Sequence, residues 1–140
     1  MLRRMGVLTP TYRSLDGIRI LVVDDDGETV DLVTTVLQSA GATVLVARST
    51  SDGLAKLGAA WPDLILADIA MPGADGYVLI QQARTLADAS GRRLIAVAFT
   101  ALGSREREKA ISAGFATLVS KPVQPHALLE LVATLASRAA

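Results

Sequence analysis

The sequence predicts an α/β fold, a parallel sheet held between two layers of helices. Three observations carry this. Five short apolar runs, Ile18–Val23, Thr43–Ala47, Asp63–Ala67, Leu94–Phe99 and Ala116–Ser120, start 25, 20, 31 and 22 residues apart. Each interval is room for a strand, a helix and two turns, and the segments between the runs have helical spacing. The runs are apolar nearly throughout rather than alternating, as strands covered on both faces are.

The elements follow in order. Residues 1–17 have no period and contain Pro10, Ser14 and Gly17, so they are expected to form a flexible tail or linker, with the domain over 18–140. After the first run, Val30, Val33, Val36, Leu37 and Ala40 recur at three and four residues over 27–40, with Gly41 placed as a C-cap. Segment 50–60 offers Leu54, Leu57 and Ala60, and 75–87 offers Val78, Leu79, Ala83 and Leu86. The polar stretch 87–93 is expected to be a surface loop. Segment 104–113 opens on Ser104 as a cap and is then charged, and 124–136 offers Leu128, Leu131, Val132 and Leu135. Repeated βα units with right-handed crossovers give a parallel sheet.

Composition excludes several functions. A chain of 140 residues, 51 % apolar and 20 % charged, suits one domain with a real core. Fourteen basic residues balance fourteen acidic ones, so the positive excess of a nucleic-acid or membrane-surface binder is missing. With no cysteine, thiol nucleophiles, disulfides and thiolate zinc sites are excluded. His126 is the sole histidine and is expected at the surface. No apolar run approaches the 18 residues of a membrane span, and the N-terminus lacks the sustained apolar stretch of a signal peptide. A cytoplasmic domain without membrane contact is expected.

The ends of the strands carry the chemistry. In a parallel sheet all strands end on one edge, where ligands bind. After the five runs come Asp24-Asp25-Asp26, Arg48, Asp68, Thr100 and Lys121-Pro122. Apposed carboxylates raise one another's proton affinity unless a cation neutralises them. Oxygen ligands without thiols select a hard ion, and Mg²⁺ is the natural candidate. Carboxylate, Mg²⁺, Lys121 and Thr100 together can stabilise a transferring phosphoryl group, and a carboxylate can itself be the nucleophile. Asp26 is better placed to cap the first helix than to bind metal.

These residues resemble those of the receiver domain of bacterial two-component signalling. The likeness covers about residues 18–137. Its pieces are Ile20-Leu21-Val22-Val23-Asp24-Asp25-Asp26, Pro62-Asp63-Leu64-Ile65-Leu66-Ala67-Asp68, Met71-Pro72-Gly73-Ala74-Asp75-Gly76, Thr100-Ala101 and Lys121-Pro122. The resemblance implies a flavodoxin-like (βα)5 sandwich with strand order 2-1-3-4-5. It implies Asp68 as phosphoacceptor, Mg²⁺ held by Asp25, Asp68 and the backbone carbonyl of Ala70, and Asp24 acting through water. Lys121 then pairs with the phosphoryl group, Thr100 hydrogen-bonds it on activation, and Lys121–Pro122 is a cis peptide.

The implied partner is a histidine kinase or histidine phosphotransfer domain, with a partner or dimer surface on the fourth helix, fifth strand and fifth helix. The chain resembles either a stand-alone regulator or a receiver of a hybrid histidine kinase, and no output domain is expected. Such a domain catalyses its own phosphorylation without being a turnover enzyme. Three positions depart from the family pattern: Leu118 replaces an aromatic switch residue, and Ala70 and Leu102 replace frequently polar ones. Two alternatives stand beside this reading. One is a phosphorylation-independent scaffold with the same fold, and the other is a small FMN binder, which three aspartates after the first strand disfavour by repelling phosphate.

Overall fold

The structure, a computed structural model, describes residues 14–71, 76–101 and 103–139. Each apolar run becomes a strand: β1 (Arg19–Val23), β2 (Thr43–Ala47), β3 (Leu64–Asp68), β4 (Ala96–Thr100) and β5 (Thr117–Ser120). The helices are α1 (Gly27–Ser39), α2 (Thr50–Ala59), α3 (Gly76–Ser90), α4 (Arg107–Ala113) and α5 (Pro125–Ala139), with a 3₁₀ turn over Ser104–Glu106. All strand pairs are parallel and the order is β2-β1-β3-β4-β5, as expected.

Strand alternation divides the core in two. Ile20 and Val22 point to one face with Leu64, Leu66, Val97 and Phe99, and meet Val33 and Leu37 of α1 and Leu128 and Val132 of α5. Leu21 and Val23 point to the other, with Ile65, Ala67, Ala96 and Ala98, and meet Leu57 of α2, Leu79, Ile80 and Ala83 of α3 and Ala110 of α4. Both faces of the central strands are therefore covered, which is why their sequence is apolar throughout.

Local signals set the helix ends. Asp26 is the N-cap of α1, accepting from Glu28 N at 3.2 Å and from the Thr29 hydroxyl at 2.7 Å. Ser49 caps α2 by accepting from Asp52 N. Gly114, at φ 119°, closes α4 in the left-handed conformation that glycine adopts without penalty.

Several boundaries differ from the sequence expectation, and β1, β3, β4 and β5 each start one or two residues later than their apolar runs. β3 and β4 run one residue further, so Asp68 and Thr100 are their last residues rather than the first loop residues. α3 runs through Ser90 into the expected loop, because Ala83 and Ala87 continue its buried stripe and Gly91, at φ 67°, supplies the stop only afterwards. The fourth helix begins at Arg107, after the 3₁₀ turn. Glu106 has no capping bond, and its carboxylate instead accepts from the Tyr77 hydroxyl at 2.9 Å. Packing also starts before Ile18. Leu15 is 1 % exposed, its N–H donates to Ala40 O at 2.8 Å, and its side chain joins the α1–α5 core. The rest of the expected tail, 1–13, lies outside the described residues.

Candidate functional site

The register brings the acidic residues together. Val23 pairs with Ala67, so the residues that follow, Asp24 and Asp68, stand side by side where β1 and β3 end. Asp24 N donates to Ala47 O at 3.1 Å, which carries the β1–β2 ladder one residue past the strand. One carboxylate oxygen from each of Asp24, Asp25 and Asp68 lies within 4.8 Å of the others. Four polar side chains are buried among the described residues, and three of them, Asp24, Asp68 and Thr100, stand at this edge. Burying polar groups is costly without partners, so the concentration marks the edge as functional.

Lys121 follows β5 and reaches across the sheet end. Its ammonium lies 2.9 Å from Asp24 Oδ2 and donates to Asp68 Oδ2 at 3.3 Å. Its backbone N–H donates to Thr100 O at 2.8 Å, which ties the ends of β4 and β5 together, and the Lys121–Pro122 peptide is cis. Thr100 is fully buried at the end of β4. Asp68 Oδ1 accepts from Ala70 N at 2.8 Å, which orients the carboxylate and leaves Oδ2 turned toward the lysine.

The electrostatics follow from burial. Asp24 is 0 % exposed, and desolvation, helped by the charge of Asp68, holds its carboxyl above the ordinary carboxylate value. The Lys121 contact and the Asp26 N–H offset only part of this. For Lys121, burial alone favours the neutral amine, but pairing with Asp24 and the charge of Asp68 outweigh it and keep the ammonium above its usual value. The Lys121–Asp24 contact is an ion pair without hydrogen-bond alignment: Asp24 Oδ2 is buried and has no directed donor. A buried carboxylate oxygen whose neighbouring charge is one ammonium, beside two further carboxylates, fits a hard cation. The donor set is all oxygen, as Mg²⁺ requires.

The cluster leaves out Asp26, in line with its expected role as a cap. Asp26 is turned away to cap α1, where the Thr29 hydroxyl, chief among its donors, lowers its pKa. Leu118 is 4 % exposed and packs in the core with Ala110 and Phe115, so this position presents no ring to the surface. Pro72, Gly73, Ala74, Asp75 and Leu102 lie outside the described residues. Two features carried no role in the sequence reading. Arg48, at the end of β2, donates to the carbonyl of Asp25 at 2.9 Å; its strand-end position was a signal. Tyr77, at the start of α3, is bonded to Glu106, 29 residues away, and no local pattern announces that pair.

Similarity to known proteins agrees with the site. A family model described as the response regulator receiver domain matches residues 20–133. An uncharacterised 14.6 kDa protein of Leptolyngbya boryana is 40 % identical over 121 residues, covering 86 % of this chain and 91 % of that protein. The sensor histidine kinase RcsC of Salmonella typhi is 35 % identical over 129 residues, which is 91 % of this chain but 13 % of the kinase. A CheY-like receiver domain from Methanospirillum hungatei superposes with a TM-score of 0.74 at 31 % identity, over 87 % of this chain and 95 % of that one. The match runs through every strand, and the acidic cluster, lysine and threonine meet at the strand ends it spans: the chain belongs to the response regulator receiver domain family.

Proposed function

We propose that this domain is a phosphorylation-dependent signalling module whose Asp68 accepts a phosphoryl group from a phosphohistidine on a histidine kinase or phosphotransfer partner, with Mg²⁺ bound. The observation that carries the reading is the Lys121 ammonium 3.3 Å from Asp68 Oδ2, inside a cluster of three carboxylates. An Asp68 oxygen forms the new P–O bond, the P–N bond breaks, and the departing histidine nitrogen keeps the electron pair and takes a proton from solvent. Mg²⁺ neutralises the carboxylates and polarises the phosphoryl oxygens when bound. Asp25, Asp68 and the Ala70 carbonyl would hold it, with Asp24 acting through water.

Lys121 then shifts its charge from the carboxylates to the phosphoryl oxygens, and the Thr100 hydroxyl donates to one of them. Asp68 ends each event modified, so the domain catalyses its own phosphorylation and is no turnover enzyme.

A groove of about 400 Å³ beside the site, lined by Thr29, Leu32, Ala101, Pro122 and Val123, gives the donor histidine an approach. Likeness to RcsC supports a histidine-kinase partner. A second partner or dimer surface is assigned to α4, β5 and α5, where Ile111 is 48 % exposed. No described helix is long and apolar enough to cross a membrane, and the reading places the domain in the cytoplasm, where ATP-fed kinases work.

The test is transfer from phosphoramidate, whose P–N bond stands in for phosphohistidine. The expected product is a hydroxylamine-sensitive acyl phosphate that forms only with Mg²⁺. A product stable to hydroxylamine, or none, rejects the reading.

A further inference from the structure

The peptide group between Asp25 and Asp26 is held at both poles. Its N–H donates to Asp24 Oδ1 at 2.9 Å, and its carbonyl accepts from Arg48 Nη2 at 2.9 Å. A peptide unit is planar, so bonds on its two opposite edges fix the rotation of the plane. That rotation sets the backbone torsion of Asp25, and hence the direction of its Cα–Cβ bond.

Arg48 is well anchored for this task. It directly follows β2, and the ladder between β1 and β2 runs in register up to Val23–Ala47 and the Asp24–Ala47 bond. Its distance from Asp25 is therefore set by the sheet rather than by a loop. The guanidinium passes over Gly27, where an added Cβ would lie 3.4 Å from Nη2. A guanidinium bond to a carbonyl is charge-assisted, and stronger than a neutral one.

We infer that Arg48 is a positioning residue for the cation site: by holding the Asp25–Asp26 peptide it aims the Asp25 carboxylate at the ion. The inference rests on the Mg²⁺ reading above. Two effects oppose one another. The positive charge of Arg48 repels a divalent cation, while the orientation it imposes favours one. Arg48 is exposed, so water and salt screen its charge. Misaiming Asp25 instead weakens a direct ligand, and partners that orient ligands typically contribute tenfold to hundredfold in affinity. Orientation wins.

The sign of the effect makes this testable. Mg²⁺ alone is titrated calorimetrically into the wild type, Arg48→Ala and Arg48→Lys. Melting and the Asp26 amide resonance are recorded without metal. Arg48→Ala is expected to weaken Mg²⁺ about tenfold and to shift the Asp26 amide. Arg48→Lys, which keeps a donor for the single carbonyl, should recover most of the lost affinity.

Unchanged or tighter Mg²⁺ binding by Arg48→Ala overturns the inference, since loss of charge alone would tighten it. A lower metal-free melting temperature with unchanged affinity overturns it too, by making Arg48 merely structural. An Asp26 resonance that stays in place has the same force. If the wild type itself fails to bind millimolar Mg²⁺, the site reading falls and takes the inference with it; a binding wild type with an equal Arg48→Ala sinks the inference alone.

Discussion

Gly76 offers a sharp test of how β3, the strand that ends in Asp68, is held. It opens α3 and is buried against the end of β3. A Cβ at this position would stand 2.5 Å from the carbonyl oxygen of Asp68, 2.8 Å from Ile69 Cα and 3.1 Å from the Asp68 carbonyl carbon. An ordinary carbon–oxygen contact begins near about 3.3 Å, so one backbone must retreat by roughly 0.8 Å. β3 is bonded on both sides, to β1 and β4, and Ile69 N continues the ladder to Phe99 O at 3.0 Å. The strain therefore falls on the start of α3 and on the residues just after Asp68.

Overpacking of this kind costs about 1–3 kcal/mol, and the better helix propensity of alanine returns at most about 1 kcal/mol. Because the 2.5 Å approach is to backbone, the cost falls in the upper half of that range, and Gly76→Ala should lose a net of about 1–2 kcal/mol, roughly 4–8 °C in Tm for a domain of this size. Gly58 is the control. It lies within α2, is exposed, and a Cβ added there would meet nothing within 4 Å. Gly58→Ala should raise stability by about 0.5–1 kcal/mol. The same substitution thus has opposite signs at two helical sites. Thermal melts of both variants decide it, with phosphorylation rate as a second reading. Displacing Asp68 by a fraction of an ångström should slow Gly76→Ala about tenfold or more. A Gly76→Ala melt equal to or above wild type would refute the steric argument.

Other expectations follow from the same geometry. Mg²⁺ at a hundred times its dissociation constant should stabilise the fold by about 2.7 kcal/mol, and Asp25→Asn should weaken that effect more than Asp24→Asn; melts with and without the ion read both. Without metal, the raised Asp24 pKa means that the native state binds more protons than the unfolded chain above pH 3.8. Its contribution to stability therefore falls as pH rises from there through the folded value. Denaturation at stepped pH should show this loss in the wild type relative to Asp24→Asn, and parallel curves would contradict it. Lys121→Met should lower the metal-free Tm and enlarge the gain from Mg²⁺, because ammonium and cation compete for the same carboxylates; an unchanged gain in the melts would argue against that competition. Tyr77→Phe removes the bond to Glu106 and should cost about 1 kcal/mol in urea denaturation.

Much of this was legible in the sequence because the pattern was redundant. Five buried strands in a parallel sheet must be apolar on both faces, so their positions stand out, and a shared edge then collects Asp24, Asp25, Asp68, Thr100 and Lys121. What escaped the sequence was contact made across distance. Leu15 reads as tail because nothing local shows that α1 and α5 leave a place for it. The continuation of α3 to Ser90 depends on Ala83 and Ala87, small residues that helix and loop both accept, and packing decides between them. Arg48 could be placed at the strand end, but its bond to the Asp25 carbonyl depends on the β1–β2 register. Tyr77 and Glu106 meet only because α3 and the turn after β4 are brought together by the fold.

The central claim is that Asp68 is the phosphoacceptor, and intact mass tests it most directly. The protein is incubated with Mg²⁺ and acetyl phosphate, then weighed beside an Asp68→Asn variant. The account predicts a gain of one phosphoryl group in the wild type and none in the variant. An unmodified wild type, or equal modification of Asp68→Asn, would contradict it.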